Sequence, residues 1–238
     1  MYKMLQATCC VLHRNILQLG MSKNDVSSTQ KMLNIWAIVL IIWSFYRATF
    51  KSDLPIWFDE FISKPLVFLL PIYFFIAKTE KGSFLKGIGF SKKNLVSDIL
   101  FGIGVGGVFV LVACVARIVK GLPFPPLVIS SSTILWVFAI AMAASMEQIL
   151  STGFVFKRLS EESKNIVRPL FISALLFFFL HIPVLFGADK ISGGALLQMM
   201  ILNTLLSLIT SITFALRKNI VSPILVHTLY LVSLPILL

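Results

Sequence analysis

Charge is scarce in this chain. Asp and Glu number 10 and Lys and Arg 21 among 238 residues, 13% in all, against about a quarter in soluble domains. With 58% hydrophobic residues and a mean hydropathy of +0.93, that excludes an ordinary water-soluble domain. Cysteine is nearly missing: Cys9, Cys10 and Cys114 form neither a disulfide framework nor a zinc spacing. No His-Glu-x-x-His stands in the chain, so the helix-borne zinc motif is absent. Strict apolar/polar alternation is lacking, which argues against a β-barrel. Residues 1–31 show no clean apolar core with a cleavage site, so no signal peptide is expected.

What is present are long apolar runs. Several approach the ~20 residues needed to cross a bilayer, and they predict an all-α fold: a polytopic transmembrane bundle of about seven to eight helices in one domain. The spans are expected at 33–50, 61–77, 95–119, 134–156, 167–186, 194–216 and 220–238. The second is the weakest, because Asp59, Glu60 and Lys64 crowd its start and Pro71 interrupts it. Pro55–Lys64 is a candidate interfacial or re-entrant piece. Residues 1–31 read as a poorly ordered polar tail, with Met21 and Met32 as candidate later starts, and 32–238 as the membrane domain.

The formal net charge of +11 does not point to nucleic acid, since the Lys and Arg flank apolar runs rather than interleave with aromatics. Lys78, Lys81, Lys86, Lys92 and Lys93 follow span two, Lys157, Arg158, Lys164 and Arg168 follow span four, and Arg217 and Lys218 follow span six. The positive-inside rule assigns these linkers to the cytoplasm, and the N-terminal tail is expected on the other face. The predicted location is the cell membrane, multi-pass. Gly102, Gly104, Gly106 and Gly107 sit in span three. With no strand before them they are not a phosphate loop, and close helix packing is the expectation.

Three polar residues stand inside apolar runs: Glu147, His181 and His227. Such groups are costly at membrane depth and usually face the protein interior to do a job. At 1.5 Å per residue, Glu147 lies about 15 Å from Lys157, His181 about 20 Å from Arg168 and His227 about 14 Å from Lys218, all measured from the cytoplasmic ends. Three helices thus offer an acid and two imidazoles near one level. A carboxylate beside an imidazole activates water, and a second imidazole stabilises an oxyanion or protonates a leaving amine. The same trio also matches a His₂Glu zinc set. No cofactor is expected, with zinc on Glu147, His181 and His227 as the alternative.

The order and spacing of these residues resemble the CAAX-protease and bacteriocin-processing (CPBP, or Abi) family of intramembrane proteases. Its Glu-Glu-x-x-x-Arg motif aligns with Glu147-Gln148-Ile149-Leu150-Ser151-Thr152, followed by Gly153. Its Phe-x-x-x-His aligns with Phe177–His181, and its His-x-x-x-Asn/Asp with His227–Leu231. The basic Lys157-Arg158-Leu159 and the Pro223–Val226 stretch also match, and the resemblance covers about 130–238. It implies an intramembrane endopeptidase acting on a membrane-associated or hydrophobic peptide. Glu147 and His181 would activate water, and His227 would be the oxyanion or leaving-group donor. Three positions depart from the pattern: Gln148 for Glu, Thr152 for Arg, and Leu231 for Asn or Asp. Gln148 and Thr152 read as a joint neutral replacement, since losing one charge alone would strand the other. Asn203 or Tyr230 are candidate substitutes for the missing donor. Candidate substrate contacts are Gln148, Phe177 and Asn203. The expected partners are a peptide or membrane-protein substrate and the lipid bilayer. The departures leave a second expectation, a catalytically degenerate binding or bacteriocin-immunity membrane protein.

Overall fold

A computed structural model describes residues 27–50, 56–124, 130–183 and 193–237. Among them there are helices and no strand. The long helices are α1 (Ser28–Thr49), α2 (Asp59–Glu80), α4 (Leu95–Val119) and α5 (Ser131–Glu162), with α7 (Gly193–Arg217). Two shorter apolar helices are α6 (Val167–His181) and α8 (Val221–Leu237). A single turn, α3 (Phe84–Gly87), lies between α2 and α4. Five helices are long and apolar enough to cross a membrane, and large apolar side chains such as Ile41, Leu111, Phe171 and Leu216 are exposed along them. A soluble protein rarely leaves so much apolar surface uncovered; lipid covers it here. The chain is a multi-pass membrane protein.

The structure corrects several sequence expectations. Helix α1 begins at Ser28, where the Ser27 hydroxyl accepts from Gln30 N, rather than after residue 31. Met32, a candidate start, lies inside it and is fully buried. The rest of the tail, with Cys9 and Cys10, lies outside the described residues. No separate re-entrant piece breaks 56–64: Ile56–Phe58 leads directly into α2. Pro65 and Pro71 do not stop α2, because widened π-type turns at Asp59–Ser63, Pro65–Leu69 and Ile76–Glu80 carry the helix past them. A proline removes one i→i−4 bond, and in a bundle wider turns re-satisfy the freed groups. Helix α6 ends at His181, short of the expected residue 186; 184–186 lie outside the described residues.

The side on which the first span starts is also corrected. Thr29 N donates to Glu162 Oε1 at 3.0 Å, so the start of α1 sits beside the end of α5. Successive spans alternate direction, so the start of the first span must share a face with the linker after the second. It therefore lies on the Lys-rich side. Lys86, Lys92, Lys157 and Lys218, from all three basic linkers, line one cleft of about 500 Å³. This places those linkers on a single face, as their charge predicted.

Of three apolar clusters among the described residues, two frame the centre of the bundle. One joins Trp36, Val39 and Trp43 of α1, Phe68 and Ile72 of α2, Met146 and Leu150 of α5 and Phe177 of α6. The other joins Leu206 of α7 to Val226 and Tyr230 of α8. Glu147 and His227 sit next to Met146 and Val226, where the two clusters meet. Close approach of α4 and α8 sets the height of His227. A Cβ on Gly102 would lie 3.0 Å from the Ser222 carbonyl, and one on Gly106 2.8 Å from Leu229 and 3.1 Å from the Val226 Cα. The packing expectation thus holds for Gly102 and Gly106, a small-xxx-small pair. Gly104 and Gly107 face open space. A polar latch fixes the entry to α8: Asp98 pairs with Arg217 at 2.7 Å and accepts from Asn219 Nδ2 at 2.7 Å, while the Ser222 hydroxyl donates to the Asp98 carbonyl.

Candidate active site

Helix α5 changes character just after Glu147. Residues Ile149–Phe156 form widened turns, which loosen the backbone ladder and are frequent at functional sites. Arg158 completes this segment. Its Nη1 donates to the carbonyls of Gly153 (3.4 Å) and Phe154 (3.0 Å), and its Nε donates to Glu80 Oε1 at 2.8 Å. The guanidinium lies over the Phe154 ring, 4.4 Å from its centroid. The basic stretch that the sequence flagged is therefore a clamp on the backbone below Glu147. Gly153 lets that segment approach the α3–α4 linker: a Cβ there would lie 2.7 Å from the Ile88 carbonyl. Gly153→Ala is expected to lower the melting temperature in a thermal-shift assay, because backbone sets the clash. A buried overpacked methyl costs about 1–3 kcal/mol.

The three predicted polar side chains meet. Glu147 Oε2 is 3.7 Å from His181 Nε2 and 3.7 Å from His227 Nε2. Both gaps exceed a direct hydrogen bond; a water beside either pair, rather than between its atoms, is within reach of both. His181 Nδ1–H donates to the Phe177 carbonyl at 2.9 Å, so in the neutral ring Nε2 carries the lone pair. His227 Nδ1 accepts from Gln148 Nε2 at 3.1 Å, and the Thr152 hydroxyl holds that amide by donating to Gln148 Oε1 at 2.7 Å. His227 Nε2 therefore carries a hydrogen. Glu147 thus faces one acceptor nitrogen and one donor nitrogen.

Gln148 is fully buried behind His227 and lines neither of the cavities that Glu147 lines. Phe177 is also buried and packs its ring against His181, centroids 4.5 Å apart, and against His227 at 6.1 Å. Asn203 lines a cavity of about 400 Å³ together with Glu147, His181, His227, Tyr230 and Leu231. The Tyr230 hydroxyl donates to Asn203 Oδ1 at 3.5 Å. Both candidate substitutes for the missing donor therefore share the cavity with Leu231. Met199, Leu202, Leu234 and Leu237 give most of its remaining wall an apolar character.

One residue escaped sequence reasoning. Lys64 of α2 places Nζ 3.0 Å from Glu147 Oε1 and 2.9 Å from Glu60 Oε1. Its side chain is 10% exposed. A lysine near the end of a weak span reads as a snorkelling anchor; here it turns inward and neutralises the central carboxylate. Nearby, Arg47 of α1 lies 3.4 Å from Asp59 Oδ2, and the Tyr46 hydroxyl donates to Asp59 Oδ1.

Residues 129–232 match the family model described as Rce1-like, type II CAAX prenyl endopeptidase. That region is Rce1-like. The match bears out the resemblance read from the order of Glu147, His181 and His227, and all three lie within it. The Rce1-like family is a protease family. Lys64 and Arg47 lie outside the matched residues. No curated protein matches the chain.

Proposed function

We propose that this protein is an intramembrane endopeptidase of CAAX type that resides in the cell membrane and cleaves a membrane-associated or hydrophobic peptide. The observation that carries this reading is the convergence of Glu147 on an acceptor and a donor imidazole, each 3.7 Å away, at the wall of a largely apolar cavity. A water beside Glu147 Oε2 and His181 Nε2 donates a hydrogen to each and turns a lone pair to the scissile carbonyl carbon. As its oxygen adds, Glu147 takes one proton, and the carbonyl oxygen becomes an oxyanion that accepts from His227 Nε2–H. The proton then passes from Glu147 to the leaving nitrogen, the C–N bond breaks, and a carboxylic acid and an amine are released, the acid's proton passing to the amine to leave a carboxylate and an ammonium. Gln148 and Thr152 act as positioning residues that fix the His227 tautomer, and Phe177 braces both rings.

Zinc fits this donor set poorly. The Lys64 ammonium occupies one Glu147 oxygen, and the Gln148 amide leaves His227 with N–H rather than a lone pair toward the carboxylate. No step here is routed through a metal.

The test uses purified protein in lipid nanodiscs and two quenched-fluorescence peptides ending in Cys-aliphatic-aliphatic-X, one farnesylated and one not. Cleavage of either, resistant to chelator and lost in Glu147→Gln and His181→Ala that still fold, is the expected result. Cleavage of neither peptide, or a biological phenotype that survives both substitutions, would instead support a binding scaffold. Leu231 occupies the position of the missing oxyanion donor, so Leu231→Asn is expected to raise kcat. The ceiling is about 10²–10³-fold, the usual worth of one such donor; an unchanged kcat would assign that role to Tyr230 and Asn203.

A further inference from the structure

Two cavities meet at Glu147 and His181, and they differ in kind. The larger, about 400 Å³, is the mainly apolar one described above. On the opposite side of the pair lies a cavity of about 60 Å³, walled by Trp43, Arg47, Lys64 and Phe68. Glu147 and His181 line both. A water takes about 30 Å³ in the liquid, so the smaller space has room for about two waters and none for a peptide. Its wall supplies what ordered water needs, two to four polar partners. Arg47 Nε is buried with no hydrogen-bond partner among the described residues and is a spare donor. Glu147 and the His181 Nε2 lone pair are acceptors. Among the described residues no hydrogen bond joins Arg47 Nε to either acceptor, so the space offers ordered water both a donor and acceptors.

We propose that this small chamber stores the water consumed in hydrolysis, so that water reaches Glu147 and His181 from the α1–α2 side while peptide approaches from the other. The proposal rests on the hydrolytic reading above. It assigns α1 and α2, outside the Rce1-like region, the task of completing the site: Lys64 holds the carboxylate toward the chamber, and Arg47 holds the water. Separate entry keeps the nucleophile in place when a greasy peptide displaces solvent from the larger cavity.

The experiment pairs hydroxyl-radical footprinting, in which radicals form from waters bound inside the protein, with steady-state kinetics on the peptides named above. Trp43 and Trp36 are both buried, but only Trp43 lines the chamber. Faster oxidation of Trp43 than of Trp36 is expected in the native protein. Leu180→Phe, which fills the chamber from α6, should abolish the difference and lower kcat by about 10²-fold, the usual cost of a misplaced reactant, with KM unchanged. If that variant does not fold, Arg47→Lys keeps the charge beside Asp59 while removing Nε–H, and the same two readouts apply. Equal oxidation of the two tryptophans, or an unchanged kcat in a folded variant, overturns the proposal. Rapid Trp43 oxidation in a protein that cleaves neither peptide does so too, by making the chamber a structural water site; the hydrolytic reading then fails separately.

Discussion

Lys64→Met is expected to cost more than any other single substitution outside the matched region. Lys64 is the cation shared by Glu147 and Glu60, and all three side chains are at most 15% exposed. Removing one partner of a buried ion pair strands the other charge, at a cost of about 3–5 kcal/mol. The expected result is a strong fall in melting temperature together with loss of peptide cleavage. The double variant Lys64→Met/Glu147→Gln should recover much of the stability, because the neutral amide that replaces the carboxylate needs no counter-ion, while cleavage stays absent. A single variant as stable as the native protein would show that Glu147 is neutralised by something other than Lys64.

His227→Ala carries the second large effect. Loss of one oxyanion donor in a protease lowers kcat by roughly 10²–10³, and a similar fall is expected here with KM little changed. The relay behind the ring refines the expectation. Gln148→Leu removes the amide that donates to Nδ1, so the neutral ring is free to move its hydrogen away from the cavity. Losing such an orienting partner typically costs about 10–100-fold. Gln148→Leu should therefore reduce kcat less than His227→Ala, and adding it to His227→Ala should change nothing further. Independent, additive losses would separate Gln148 from His227 and undo the relay.

The apolar runs and the three polar residues were legible in the sequence because both follow from the cost of polarity in lipid. Helix rise alone put Glu147, His181 and His227 near one level, and they converge. The joint replacement of two motif charges was also legible: Gln148 and Thr152 are bonded to each other. Lys64 was not. Its neighbours Asp59 and Glu60 made the span look weak, and only packing shows that the crowd is internally paired, with one cation reaching Glu147. Gln148 was expected as a substrate contact, but adjacent residues on a helix point in different directions, and Gln148 turns toward His227. The side on which the first span starts was misjudged by parity, and the contact of Thr29 with Glu162 corrects it.

The central claim is that Glu147 delivers a water oxygen to a peptide carbonyl. Incubating the purified protein and a cleavable peptide in H₂¹⁸O, then weighing the products, tests it directly. One ¹⁸O in the new carboxyl terminus from the native protein, and no product from folded Glu147→Gln, is the predicted result. Cleavage by Glu147→Gln at the native rate would contradict the account.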